Sequence, residues 1–209
     1  MTNTTKRLIF ASLPILVACI GTARAGDRDE DNGSQKISGD YRVAITQICV
    51  RTPYQPPPAT GFDPNTHQLL TDGETVTAIG SGLLRLADDG IVQILNAEQT
   101  EVSLSQTSAG KTPVAAPSQF ACNGRYTTTD QQKVTLSVTC NVSVPQPGVT
   151  VRVGPQSFEG YIDGLSQSIN LTGITGGIQT ITVSFGGTPV QQRQRICTQQ
   201  ASGMKLKSQ

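Results

Sequence analysis

The most regular pattern in the chain is an alternation over residues 134–144. Val134, Leu136, Val138, Cys140, Val142 and Val144 hold the even positions, and Thr135, Ser137, Thr139, Asn141 and Ser143 the odd ones. In an extended strand successive side chains point to opposite faces, so a period of two predicts a strand with one buried face. Residues 119–129 precede it across Asp130-Gln131-Gln132. Folding the chain about position 131 sets Phe120 against Val142, Cys122 against Cys140, Gly124 against Val138, Tyr126 against Leu136 and Thr128 against Val134. Every pair falls on the apolar face, so one register accounts for the whole hairpin.

Further strand patterns run over Tyr41 to Val50, Thr75 to Ala87, Ile91 to Leu95 with Glu101 to Ser105, Thr150 to Ile162, Ser168 to Thr172, Gln179 to Phe185 and Pro189 to Cys197. Turn residues separate many of them: Asp88-Asp89-Gly90, Asp163-Gly164, Gly176-Gly177 and Gly186-Gly187. No long helical periodicity and no internal repeat of solenoid or propeller length is present. Strands joined by short turns predict an all-β, antiparallel up-and-down meander closed into a barrel, with a two-sheet sandwich as the alternative architecture. Three connections are longer and proline-bearing: the segment with Pro53, Pro56, Pro57, Pro58 and Pro64, the segment from Lys111 to Pro117, and the one with Pro145 and Pro147. The first is long enough to cap a barrel mouth.

Cysteines add a constraint that periodicity lacks. Cys19 lies in an N-terminal targeting pattern, which leaves Cys49, Cys122, Cys140 and Cys197 for the folded protein. An even set without a CxxC spacing, in a chain with one histidine, points to disulfides rather than zinc. The hairpin register pairs Cys122 with Cys140, and elimination pairs Cys49 with Cys197, tying the first strand to the last.

The targeting pattern consists of Lys6 and Arg7, an apolar run from Leu8 to Ile20, and Ala23-Arg24-Ala25 as a small-x-small cleavage site. Residues 1–25 are expected to be a signal peptide, 26–38 a flexible acidic linker, 39–198 the barrel domain and 199–209 a flexible tail. Leu16-Val17-Ala18-Cys19 resembles a bacterial lipobox, so lipid anchoring at Cys19 is the alternative to plain cleavage. No later stretch approaches the roughly 20 apolar residues that a membrane helix needs. Cleavage after Ala25 leaves 13 of the 16 basic residues against 15 acidic ones, a balance that gives no electrostatic reason for a nucleic-acid partner.

Enzymatic signatures fail on spacing. Gly110-Lys111-Thr112 lacks the first glycine of a phosphate loop, which is Ser105, and Pro113 and Pro117 oppose the helix that such a loop requires. His67, the single histidine, sits among Pro64, Asn65 and Thr66 with no serine elbow to serve. Asp27 to Gly33 misses the calcium-loop spacing, with Asn32 where a glycine belongs and Ser38 in place of the final glutamate. Asp88, Asp89, Asp130 and Asp163 are turn acids, and Glu159 alternates away from the apolar side. No cofactor is indicated.

Gly39-Asp40-Tyr41 at the start of strand one, with Arg193 and Arg195 on the last strand, resembles the lipocalin and wider calycin plan. That resemblance implies a barrel whose closed end holds the Tyr41 ring, in the place of the family's tryptophan, beneath a final-strand arginine. It also implies an interior that holds a small apolar ligand, for which Phe120, Tyr126, Leu136 and Val138 are the lining candidates. Gly124 opposite Val138, with Ala78, Gly80 and Gly82 on a neighbouring inner face, predicts unfilled width. The chain therefore reads as an exported, non-enzymatic barrel protein. The rival readings are a structural or adhesive envelope protein without ligand and a hydrolase assembled from loop-borne acids.

Overall fold

The computed structural model describes residues 37–104, 114–129, 132–174 and 177–207. The expectations for residues 1–36, including Cys19 and the acidic stretch, and for Gly110-Lys111-Thr112 and Asp130, lie outside the described residues. What is described is an all-β, closed antiparallel barrel, not a sandwich. Its strands are β1 (Gly39–Arg51), β2 (Glu74–Leu86), β3 (Ile91–Leu104), β4 (Val114–Thr128), β5 (Lys133–Ser143), β6 (Val149–Ile162), β7 (Ser168–Gly173), β8 (Gln179–Phe185) and β9 (Thr188–Lys205). Among these residues no helix is long and apolar enough to cross a membrane.

Each strand pairs with the next from β1 to β7, and β9 closes the circle on β1 with Tyr41 opposite Lys205 and Arg51 opposite Arg195. An antiparallel barrel closes only with an even number of positions, and β7 and β8 supply the resolution. Ile169 to Gly173 pair with the second half of β6, and Thr180 to Phe185 pair with its first half. Both also pair with β9. They run in the same direction and together fill one position between β6 and β9, so the barrel is eight-stranded.

The β4–β5 register is the one expected from the alternation, from Phe120 opposite Val142 to Thr128 opposite Val134. Cys122 is bonded to Cys140 and Cys49 to Cys197. Three boundaries differ from the sequence expectation, the first being that β4 starts at Val114 rather than Gln119, so residues 114–117 are strand and not part of a connection. β3 is continuous across Asn96, which takes a positive φ of 49° and forms a bulge that keeps Ile94 and Ala97 both inward. β9 extends to Lys205 rather than ending near Cys197. Gln199 and Ala201 continue the inward alternation and Gly203 lies against Val43, so residues 199–205 are strand, not tail.

Gly124 does not widen the interior as expected. A Cβ built on it would fall 1.8 Å from the Ser137 carbonyl oxygen, so the glycine permits a close approach of β4 and β5 backbones where the sheet coils. Gly80, whose Cβ would lie 2.4 Å from the Glu98 oxygen, acts in the same way. Gly124→Ala is expected to lower the free energy of unfolding by about 1–3 kcal/mol, because the strands must part to admit the methyl group. Gly164→Ala, where the nearest atom is 4.0 Å away, should change it by less than about 0.5 kcal/mol. Urea unfolding of the two variants side by side checks both values.

The interior divides along the barrel axis. At the end bearing the Asp88-Asp89-Gly90 and Asp163-Gly164 turns, Tyr41, Val43, Leu84, Leu86, Val92, Val134, Leu136, Ile162 and Ile169 pack into a solid apolar core. Tyr41 closes this end, and its hydroxyl donates to the Ile37 carbonyl at 2.8 Å and to that of Ser166 at 3.3 Å. The cation over its ring is Lys205, 5.8 Å from the centroid. Arg193 and Arg195 lie elsewhere. Ten residues earlier on β9, they face the opposite end, because Arg195 is opposite Arg51 at the far limit of the β1 pairing.

Candidate functional site

The first and third proline-bearing connections, after Arg51 and between Ser143 and Val149, emerge at that opposite end. The first follows Arg51 and continues beside β9: the Thr52 amide donates to Gln194 O, and Gln55 exchanges backbone hydrogen bonds with Gln192. Side chains of β9 hold the rest of the segment. Gln192 Oε1 accepts from the Ala59 amide at 3.2 Å and Gln194 Oε1 from the Phe62 amide at 2.9 Å, and both Ala59 and Phe62 are buried. Tyr54 is thereby placed at the barrel mouth with its ring 4.3 Å from the Arg193 guanidinium carbon.

Beneath this mouth the barrel retains a cavity of about 260 Å³. It reaches Tyr54 and Ala116, which are exposed, and ends on the packed apolar half. Its walls differ in character. Strands β4, β5, β6 and β8 contribute Phe120, Val138, Val142, Val151, Val153, Phe158 and Ile181, together with the Cys122–Cys140 bridge. Strands β1, β3 and β9 contribute Gln47, Gln99, Glu101, Gln199, Arg193 and Arg195 beside Ile45 and Ile94, and β6 adds Gln156 to the polar side. Of the four lining candidates, Phe120 and Val138 border the cavity. Leu136 lies in the packed core, and Tyr126 packs against it with its hydroxyl donating to the Ala87 carbonyl at 2.6 Å.

The polar wall is internally connected. Gln199 donates through Nε2 to Gln47 at 2.9 Å and to Gln156 at 3.0 Å; Gln47 donates to Gln99 at 3.1 Å, and Gln99 to Glu101 at 3.1 Å. Glu101 also accepts from Arg51 Nη1 at 2.8 Å, while the Nε of Arg51 donates to Glu74 and its Nη2 to Ser103. One guanidinium thus binds two carboxylates, the charge arrangement of a structural ion-pair cluster. No group of three His, Cys, Asp or Glu side chains among the described residues could hold a metal ion. His67 is exposed in the first connection, its amide donating to the Asp63 carbonyl.

No protein-family model, curated protein or solved structure matches the chain. The site must be read from its own chemistry.

The unusual members of the polar wall are the two β9 arginines. Arg195 is 6% exposed, and its Nε donates to the neutral amide oxygen of Gln179 at 2.8 Å. No carboxylate among the described residues pairs with it. Burial brings its pKa down to about 10, against partial compensation from Glu101. Burial lowers that of Arg193 as well; its Nη1 lies 3.8 Å from Glu74, but its Nε is buried with no hydrogen-bond partner. Both remain protonated at neutral pH, so the cavity wall carries positive charge that the described carboxylates neutralise only in part. Inspection of the apolar periodicity passes over these residues. The signal that reaches them is their spacing from Cys197, since a bridged cysteine sets the inward phase of its strand and Arg193, Arg195 and Gln199 share that phase.

Proposed function

We propose that the chain is an exported, non-enzymatic carrier that holds one small ligand with an apolar body in the barrel cavity. The observation that supports this most directly is the cavity itself. It is walled on one side by aliphatic and aromatic side chains, stopped below by a packed core, and reached from the end where the long connections gather. Its volume of about 260 Å³ is a little below the usual range of about 300–1,000 Å³ for small-molecule sites, which favours a compact ligand. Export is supported by the targeting pattern of residues 1–25 and by two disulfides, which persist in oxidising compartments. An envelope protein of purely structural role has no need of a void in its core, since empty volume costs stability.

Val138→Trp tests the reading. Val138 is 2% exposed and borders the cavity. In a filled core the added indole would destabilise by about 1–3 kcal/mol or more. Here the ring is expected to enter the void, leaving the unfolding free energy within about 1 kcal/mol of the parent. It should also abolish uptake of a polarity-sensitive apolar dye by the parent protein. A parent that takes up no dye, joined to a variant that unfolds at clearly lower denaturant, overturns the carrier reading. Native mass spectrometry of protein purified from its own host should in addition show a retained small molecule.

A further inference from the structure

The two cavity walls are chemically opposed. One is mostly apolar, formed by β4, β5, β6 and β8 with Ser118 and Gln156 as its polar members, and the other presents Arg193 and Arg195 from β9. Among the described residues of the mouth half of the interior, three arginines, Arg51, Arg193 and Arg195, stand against two glutamates, Glu74 and Glu101. Arg51 is saturated by both glutamates and Ser103. Arg195 has only a neutral partner, and the Nε of Arg193 has none. A buried cation without a counter-ion is costly, and its cost falls when an anion reaches it in a site from which water is displaced. The excess is a single positive charge.

We infer that the cavity takes a small monocarboxylate, its charged head on Arg193 and Arg195 and its apolar body along Phe120, Val138 and Val153. This inference rests on the carrier reading and deepens it by naming the ligand class. Guanidinium groups match carboxylate geometry with paired N–H donors, which suits the two arginines to this head group. The size of the body follows from the volume. At about 260 Å³ the cavity lies just under the usual range of about 300–1,000 Å³ for small-molecule sites, so a short aliphatic or single-ring acid is the body that matches it. Tyr54, stacked on Arg193 at the mouth, keeps that guanidinium oriented while its own ring forms part of the rim.

The test is calorimetric titration of the full mature protein with octanoate, octanol and octylamine, three probes of one length and different head-group charge. Octanoate is expected to bind roughly tenfold or more tightly than octanol, the difference that a charge-assisted hydrogen bond makes, and octylamine most weakly. In Arg195→Met the preference for octanoate over octanol should fall toward unity. Should that variant fail to fold, the parent still decides the matter. The Nε–H resonances of Arg193 and Arg195 must shift on adding octanoate and stay in place on adding octanol. Octanol binding as tightly as octanoate overturns the monocarboxylate inference and leaves the carrier reading standing. Octylamine binding most tightly overturns the inference by placing the head group on Glu74 and Glu101 instead. Failure of all three probes to bind overturns both.

Discussion

Cys49→Ala combined with Cys197→Ala is expected to lower the free energy of unfolding by about 5 kcal/mol, against about 3 kcal/mol for Cys122→Ala with Cys140→Ala. Both pairs are buried and both join residues directly opposite on neighbouring strands, so the side-chain volume lost is the same. What differs is the loop that each bond closes. Cys49 and Cys197 are 148 residues apart, and Cys122 and Cys140 only 18. Cross-linking removes freedom from the unfolded chain in proportion to the logarithm of that separation, so the long bridge stabilises more. It also spans the β1–β9 seam, the pairing that turns the meander into a barrel. Because a domain's entire margin is about 5–15 kcal/mol, the seam variant should lie close to its unfolding threshold at 37 °C. Urea unfolding of the two double variants measures the order, and the seam variant should also show the larger gain in m-value, since its unfolded state loses the greater constraint. Equal losses from the two pairs would mean that native-state enthalpy, not loop entropy, sets the contribution.

The second large effect is expected at the closed end. Tyr41→Ala should cost about 3–5 kcal/mol, the range for deleting a fully buried aromatic ring, because Tyr41 is 0% exposed among Leu84, Leu86 and Ile169. Tyr41→Phe keeps the ring and removes only the donor to Ile37 and Ser166, so about 1–2 kcal/mol should be lost. The hydroxyl also carries a pH signature. Burial, with smaller contributions from Asp163 and Tyr126, pushes the Tyr41 pKa up to about 12 from its ordinary value near 10. The folded protein therefore holds this proton where the unfolded chain has released it. Stability from Tyr41 is complete below pH 10 and is lost as pH rises from 10 toward 12. In Tyr41→Phe that part of the alkaline decline should vanish, while Tyr126, whose pKa burial also raises, continues to contribute. Denaturation midpoints at a series of pH values between 8 and 12 compare the two proteins.

The hairpin was legible in full because every one of its apolar positions agreed with one register, and a strand slipped by one residue would turn all of them to solvent. The β1–β9 bridge followed from arithmetic alone once that register had used two cysteines. Closure was less direct. The interrupted position made of β7 and β8 reads locally as two separate strands, and only their shared partners, β6 and β9, show that they count as one. Gly124 and Gly80 illustrate the opposite difficulty. An inward glycine looks like empty space in a sequence, whereas the space is taken by the backbone of the neighbouring strand. The candidate site was legible only in part. Phe120 and Val138 stood out because they are apolar and alternate, while Arg193 and Arg195 were first associated with the closed end and Tyr41.

The sequence by itself determined the strand class, the phase of inward and outward positions, the central register and both disulfides, because these depend on period and pairing between residues near in sequence or joined by elimination. Tertiary structure alone decided which inward positions are packed and which border a void. That outcome depends on several strands meeting across the barrel. Val138 and Leu136 have the same chemistry and the same phase on one strand, yet one lines the cavity and the other lies in the core, because the chains facing them differ. It also decided where charge is left over. Arg51 and Arg195 are opposite one another at the seam, but Glu74 and Glu101 both lie within reach of Arg51, and the one side chain bonded to Arg195 is a neutral glutamine.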